Sequence, residues 1–260
     1  MASLEETKSS LTAPTARRAA EDENRGHDGG RGVRSISVII PTLNEATALP
    51  ATLAALQDSE IDEIIVVDGG SDDETVVIAR GAGARVEFAS PGRGSQMNAG
   101  ARFARGEILL FLHADTRPPE RFDALIRTAL RENPDAAAGA FALRIDAPGR
   151  AFRIIERAVA WRSKWRRAPY GDQAIFVPAN TFVALGGFPD WPLLEDVEFL
   201  RRVRAAGEVV LVGEPVITSA RRWRRRGVWR AMLLNQAILI AYRLGVSPQR
   251  LAKIRGLERG

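Results

Sequence analysis

The chain has 260 residues, 45% of them apolar and 27% charged, enough to bury one sizeable core. It has no cysteine, which excludes disulfides and thiolate metal sites, and its only histidines, His27 and His113, exclude sites built on several imidazoles. The net charge of +5 is unevenly spread: residues 35–149 carry −7 and residues 150–260 carry +12, so the second half asks for an anionic partner such as phosphate, nucleic acid or a membrane surface.

The first 34 residues hold six acidic and six basic side chains with little apolar periodicity, and they predict a disordered tail without the apolar run of a secretory signal. From there a regular rhythm begins. Ser35–Ile40 reads as a strand stopped by Pro41, and Thr42-Leu43-Asn44-Glu45 as a polar turn feeding a helix with Leu49, Leu53 and Leu56 on its apolar face. Ile64–Val67 is a second strand ending at Asp68. Gly69-Gly70 then turns the chain, and Ser71 with Glu74 predicts a capping box. Val86–Phe88 is a short third strand, followed by a helix over 96–104. Gly106 then leads into Ile108–Leu112, an apolar run of the length of a buried parallel strand, which ends in His113-Ala114-Asp115 before Pro118-Pro119.

Strands alternating with helices on short connections predict an α/β chain: a mostly parallel, Rossmann-like sheet with helices on both faces. After a helix over 120–131 the rhythm changes. Strands are expected over 136–145 and 170–177, helices over 151–165 and from Leu194, and two short strands at 209–212 and 216–218. No repeat or linker divides the halves. The expected organisation is one domain over 35–260, with a nucleotide-binding half (35–117) and an acceptor-binding half (118–260) that ends in a basic helical region. Its longest uncharged apolar stretch, 231–242, is short of the roughly 20 residues that span a bilayer.

Three motifs fall at carboxyl ends of parallel strands, where open α/β sheets hold ligands: Pro41–Glu45, Asp68–Ser71 and His113–Asp115. A buried Asp115 needs a cation or donors, and a divalent ion carrying a diphosphate would satisfy it. Asp68 can accept from a base or ribose, and the turns offer backbone donors to phosphate. Other phosphate motifs fail. Met97 stands where a dinucleotide-binding glycine would follow Gly92-Arg93-Gly94, and Asp73 where a nucleophile elbow needs glycine. Glu195 and Asp196, adjacent acids opening a helix, are candidates for a general base. The cluster Arg221–Arg226 around Trp223 suits a diphosphate or anionic lipid; nucleic acid is disfavoured because no nucleic-acid module surrounds it. Trp229, Met232, Leu233, Leu239 and Ile240 are expected to pack on the body, with a membrane interface as the other reading.

The succession Ile39–Glu45, Val66–Ser71, Gly92–Gly94, Ala104–Glu107 and His113–Asp115 resembles the family-2 glycosyltransferases of the GT-A fold. Tyr170–Gln173, Leu185–Phe188, Glu195-Asp196 and Ser219–Trp223 are similar to the arsenosugar-biosynthesis subgroup, and the resemblance covers about residues 35–245. It implies an inverting hexosyl transfer from a nucleotide-diphosphate sugar, a UDP-sugar by preference, with Mg²⁺ or Mn²⁺. The implied nucleotide contacts are Pro41, Thr42, Glu45, Asp68 and Arg93, joined by Asn44, Gly69, Asn98 and His113. Arg221, Arg222 and Trp223 are the candidates for the leaving diphosphate. Asp115 falls on the metal-binding end of an Asp-X-Asp motif whose first carboxylate is here His113, and Asp196 on the base. The acceptor is expected to be an arsenic-containing or other small molecule, or a polyprenyl phosphate. A cytoplasmic location is expected, with peripheral contact at the inner membrane face as its extension.

Overall fold

The computed structural model describes residues 34–255; the expected tail, apart from Arg34, and residues 256–260 lie outside the described residues. Eight strands form one sheet: β1 (Ile36–Thr42), β2 (Glu63–Asp68), β3 (Arg85–Phe88), β4 (Ile108–Phe111), β5 (Thr116–Arg117), β6 (Ala136–Asp146), β7 (Ile175–Pro178) and β8 (Glu208–Ser219). Their order across the sheet is β3-β2-β1-β4-β7-β6-β8-β5. The pairs β1/β2, β1/β4, β2/β3 and β6/β8 are parallel, while β7 runs antiparallel between β4 and β6. The carboxyl ends of β1, β2, β4, β6 and β8 therefore share one edge with the amino end of β7, and that single topological fact collects the site.

The helices are α1 (Leu49–Ala54), α2 (Thr75–Gly81), α3 (Arg93–Phe103), α4 (Phe122–Glu132), α5 (Arg150–Arg166), α6 (Ala179–Ala184), α7 (Glu195–Ala206), α8 (Arg221–Arg226), α9 (Val228–Arg243) and α10 (Pro248–Arg255). Both sheet faces are covered. Ile36, Val38 and Ile40 of β1 join one core with Leu49, Leu53 and Ile126, and Ile39 joins the other with Ile65, Val67, Met97 and Phe199. A strand buried on both faces has no solvent-facing positions, which is why β1 is apolar apart from the terminal Thr42 and Ser37, whose hydroxyl donates to Glu63 Oε1 at 2.7 Å. A third cluster joins Leu193 and Leu194 to Ile238, Leu239 and Leu251 and ties α9 and α10 to the approach of α7.

Four local expectations are corrected. Ser71 does not cap α2, which begins at Thr75 with Glu74 before it. The Ser71 hydroxyl donates to Asp68 Oδ1 and accepts the Asn44 N–H, so it is spent on the loops. Helix α3 starts at Arg93, three residues before the expected start. The segment expected to be a strand from Tyr170 is first a 3-10 turn, Gly171–Gln173. There the buried Gln173 amide donates to Phe141 O at 2.8 Å and accepts from Ser163 Oγ at 3.0 Å, competing successfully with strand pairing. The two short strands expected near the end are one, β8. Its register on β6 steps from Phe141↔Val212 to Ala142↔Pro215, so a bulge at Gly213-Glu214 absorbs the interruption. Among the described residues no helix is long and apolar enough to cross a membrane.

Candidate active site

The first two loops of the shared edge are stitched into one unit. Asn44, at φ 54°, donates its N–H to Ser71 Oγ at 2.8 Å and accepts the Asp72 N–H on its side-chain oxygen at 2.9 Å. The Glu45 and Ala46 N–H groups donate to Thr75 Oγ1 and Asp73 Oδ2. Asp68, 1% exposed, accepts from Thr42 Oγ1, from Ser71 Oγ and from the N–H groups of Gly70 and Ser71. Burial pushes its carboxyl up, but these donors outweigh burial and hold it below the usual range. Asp68 thus organises the loop with all its acceptor positions in use. Gly69 follows it directly, and a Cβ there would stand 3.1 Å from the Gln96 amide, which itself donates to Thr42 O at 2.7 Å and Val67 O at 2.8 Å.

Around Arg93 the electrostatics concentrate. Its guanidinium pairs with Glu195 through Nε–Oε1 at 2.9 Å. The Glu195 charge raises the guanidinium's basicity most; burial opposes it, and Asp196, Asp172 and Asp115 add to it in turn. Carboxylates after β4, in the 3-10 turn and at the start of α7 therefore act electrostatically on one cation at the start of α3, with Glu195 in direct contact. Gly94 permits this approach, since a Cβ there would stand 2.7 Å from Pro189 O and 3.3 Å from Glu195 Cβ. Asn98 holds the same loop, donating to Phe188 O at 2.8 Å and accepting the Phe188 N–H at 2.9 Å.

Asp196 is half-buried at the mouth of α7 and accepts the Gly171 N–H on Oδ2 at 2.8 Å. A Cβ on Gly171 would stand 3.1 Å from that oxygen and 3.5 Å from His113 Nε2, so imidazole and carboxylate approach the same point. Asp115 and His113 are both buried. Glu195 is 2% exposed and paired with Arg93, whereas Asp196 keeps access to solvent. Tyr170 borders this point under the Arg162 guanidinium, 3.6 Å above its ring, and burial raises its phenol pKa.

At the far side β8 closes the edge. The Ser219 N–H donates to Asp115 O at 3.0 Å, and Arg221, at the start of α8, pairs with Glu45. Trp223, in the first turn of α8, is half-buried and packs partly against the main core. Among the described residues no group of three or more His, Asp or Glu side chains is placed to hold a metal ion. An all-protein cage is therefore absent from them. The donor types of Asp115 and His113, two residues apart after β4, do fit an ion whose other ligands are diphosphate oxygens and water.

Residues 37–188 match the family model described as Glycosyl transferase family 2. The chain belongs to glycosyl transferase family 2. Among curated family relatives, a stretch of 104 residues is 32% identical to the glucosyl-3-phosphoglycerate synthase of Mycolicibacterium paratuberculosis, covering 35% of this chain and 32% of that protein. A stretch of 102 residues is 42% identical to a PGL/p-HBAD biosynthesis glycosyltransferase of Mycobacterium bovis, covering 36% and 40%. The matches thus span less than half of these relatives. Among solved structures, glucosyl-3-phosphoglycerate synthase from Mycobacterium tuberculosis, bound to Mn²⁺, UDP and glucosyl-3-phosphoglycerate, superposes with TM-score 0.52 at 21% identity over 79% of this chain and 77% of that one. S. aureus TarS 1–349 with UDP-GlcNAc gives 0.55 at 18% over 71% and 58%. The family assignment and these superpositions give the GT-A class of fold.

Gln96, Gln173, Gly94 and the Gly171 N–H carry the site's geometry yet were not singled out as site groups in the sequence. A glutamine on a helix is ordinarily solvated surface, and only the tertiary contact gives it a role.

Proposed function

We propose that this family member transfers a sugar from a nucleotide-diphosphate sugar to an acceptor hydroxyl in one step, with inversion at the anomeric carbon. The carrying observation is geometric: the Arg93–Glu195 pair at 2.9 Å stands next in the chain to Asp196, whose carboxylate is held by the Gly171 N–H at 2.8 Å and shares with His113 Nε2 the space beside the Gly171 Cα. The uridine nucleotides bound by the superposed glucosyl-3-phosphoglycerate synthase and TarS support a UDP-sugar donor.

In this reading the loops at Pro41–Glu45 and Asp68–Ser71 receive the nucleoside, with Asp68 fixing their shape. Asp115 and His113 would hold the Mg²⁺ or Mn²⁺ ion jointly with the diphosphate. When bound, the ion supplies charge neutralisation at the leaving phosphates. Arg93 and Arg221 lie at the edge where that negative charge grows. Asp196 accepts the proton of the acceptor hydroxyl as its oxygen bonds to the anomeric carbon and the bond to the diphosphate oxygen breaks. The Gly171 N–H orients the carboxylate, and Glu195 keeps Arg93 from folding onto it. A buried first carboxylate is replaced by neutral-capable His113, so ion binding here relies more on the substrate's own phosphates.

The motifs shared with the arsenosugar-biosynthesis subgroup support an arsenic-containing sugar or nucleoside as acceptor. A thermal-shift screen of UDP-, GDP- and dTDP-sugars with and without Mn²⁺ tests the proposal. A UDP-sugar that stabilises only with the ion supports it. Stabilisation by none of them, together with salt-dependent retention on RNA, would replace it with a non-catalytic nucleic-acid-binding role.

A further inference from the structure

Large exposed apolar side chains gather on two helices. On α5, Ile154, Ala158, Trp161 and Trp165 recur at intervals of four, three and four residues and lie on one exposed face, the two indoles 59% and 72% exposed. The opposite face carries Phe152, Ile155 and Val159 into the core, so the exposed stripe is a second apolar face and not core turned outward. Arg150, Arg157 and Lys164, all exposed and seven residues apart, line one border of it. On α9, Met232 and Leu239 pack inward as expected from the sequence, but Trp229, Leu233 and Ile240 are exposed, and Leu244 at the helix end continues their line. Arg230 and Arg243 stand exposed beside them.

Both helices border Tyr170. Tyr170 lies under Arg162 of α5 and packs in the cluster that holds Ile238 and Leu239 of α9. The next residue, Gly171, holds Asp196.

We infer that α5 and α9 form a docking surface for an anionic lipid bilayer, their apolar stripes entering the headgroup region and their basic borders meeting lipid phosphates. Indoles flanked by cations match the chemistry of that interface, apolar below and charged above. Two copies of this face brought together would gather both sets of cationic side chains in one interface, which disfavours self-association as its purpose. With no spanning helix among the described residues, contact is in the plane of the membrane. The surface is independent of the transfer chemistry.

The test is flotation of the full chain with vesicles of phosphatidylglycerol and phosphatidylcholine in equal parts, against phosphatidylcholine alone. Flotation with the anionic vesicles only is expected, with tryptophan emission quenched by brominated lipid. Trp161→Ser with Trp165→Ser should lower the bound fraction about tenfold, and Arg157→Gln with Lys164→Gln should lower the partition coefficient about thirtyfold. Both variants should keep the wild-type response to UDP with Mn²⁺ in melting, which separates this result from failure of the nucleotide reading. No flotation, flotation indifferent to both variants, or a concentration-dependent dimer that the tryptophan variant makes monomeric would each overturn the inference.

Discussion

Asp196 and Gly171 are joined across 25 residues of chain by one hydrogen bond, the glycine N–H donating to Oδ2 at 2.8 Å. The bond aims the carboxylate, and the bare Cα beside it leaves room toward His113 Nε2. A carboxylate held this way is oriented before substrate arrives.

Asp196→Asn keeps the size of the side chain and removes the proposed base. Turnover should fall about 10²–10⁴-fold while the melting shift produced by UDP stays within error of wild type. Steady-state kinetics beside a UDP titration reads both, and turnover near wild type would remove Asp196 from this role.

Asp115→Ala should abolish the ion-dependent part of donor binding. With donor at about a hundred times its Kd, binding stabilises by about 2.7 kcal/mol, and most of that should vanish in the variant when Mn²⁺ is present. His113→Asp adds the second carboxylate and should shift the Mn²⁺ midpoint to lower concentration. Melting curves across a metal series at fixed UDP distinguish the two.

Gly94→Ala introduces a methyl 2.7 Å from a backbone carbonyl at Pro189 and against Glu195. Overpacking of this kind costs about 1–3 kcal/mol, and the Arg93–Glu195 pair should loosen with it. Gly81→Ala, where nothing lies within 4 Å of the added Cβ, is the control and should be neutral or slightly stabilising. Denaturant midpoints of the two variants give the comparison.

Asp68 gives a pH signature. Its folded carboxyl titrates below the usual range, so its contribution is complete above the unfolded-chain value of about 3.9 and is lost as pH falls through the folded value. Asp68→Asn should lower stability at neutral pH and flatten the acid limb of the melting curve. Wild type and variant should therefore converge in acid, which melting temperatures measured down that limb would read.

The carboxyl-edge loops were legible because their signals are local. Apolar runs followed by Pro41, Asp68 and Asp115 mark strand ends to within a few residues by composition, although β1 runs through Pro41 to Thr42, and a parallel sheet puts such ends together. The boundaries that slipped had rivals invisible in one dimension. Ser71 had Asp68 as a stronger partner than the helix end, and Tyr170–Gln173 gained more from the Gln173 network than from pairing. Trp229 and Met232 looked alike along the chain, yet one faces solvent and the other the core.

The sequence by itself determined the sheet, its family and the three loops along its edge, since strand runs, breakers and motif order are properties of neighbouring residues. Only the tertiary structure decided that Glu195 serves Arg93 while Asp196 is left to face solvent, that Arg221 reaches back to Glu45, and that Gln96 and Gln173 hold strand ends in place. Charges and amides choose partners by distance after the chain has folded, and for Arg221 and Glu45 that distance bridges 176 residues of sequence.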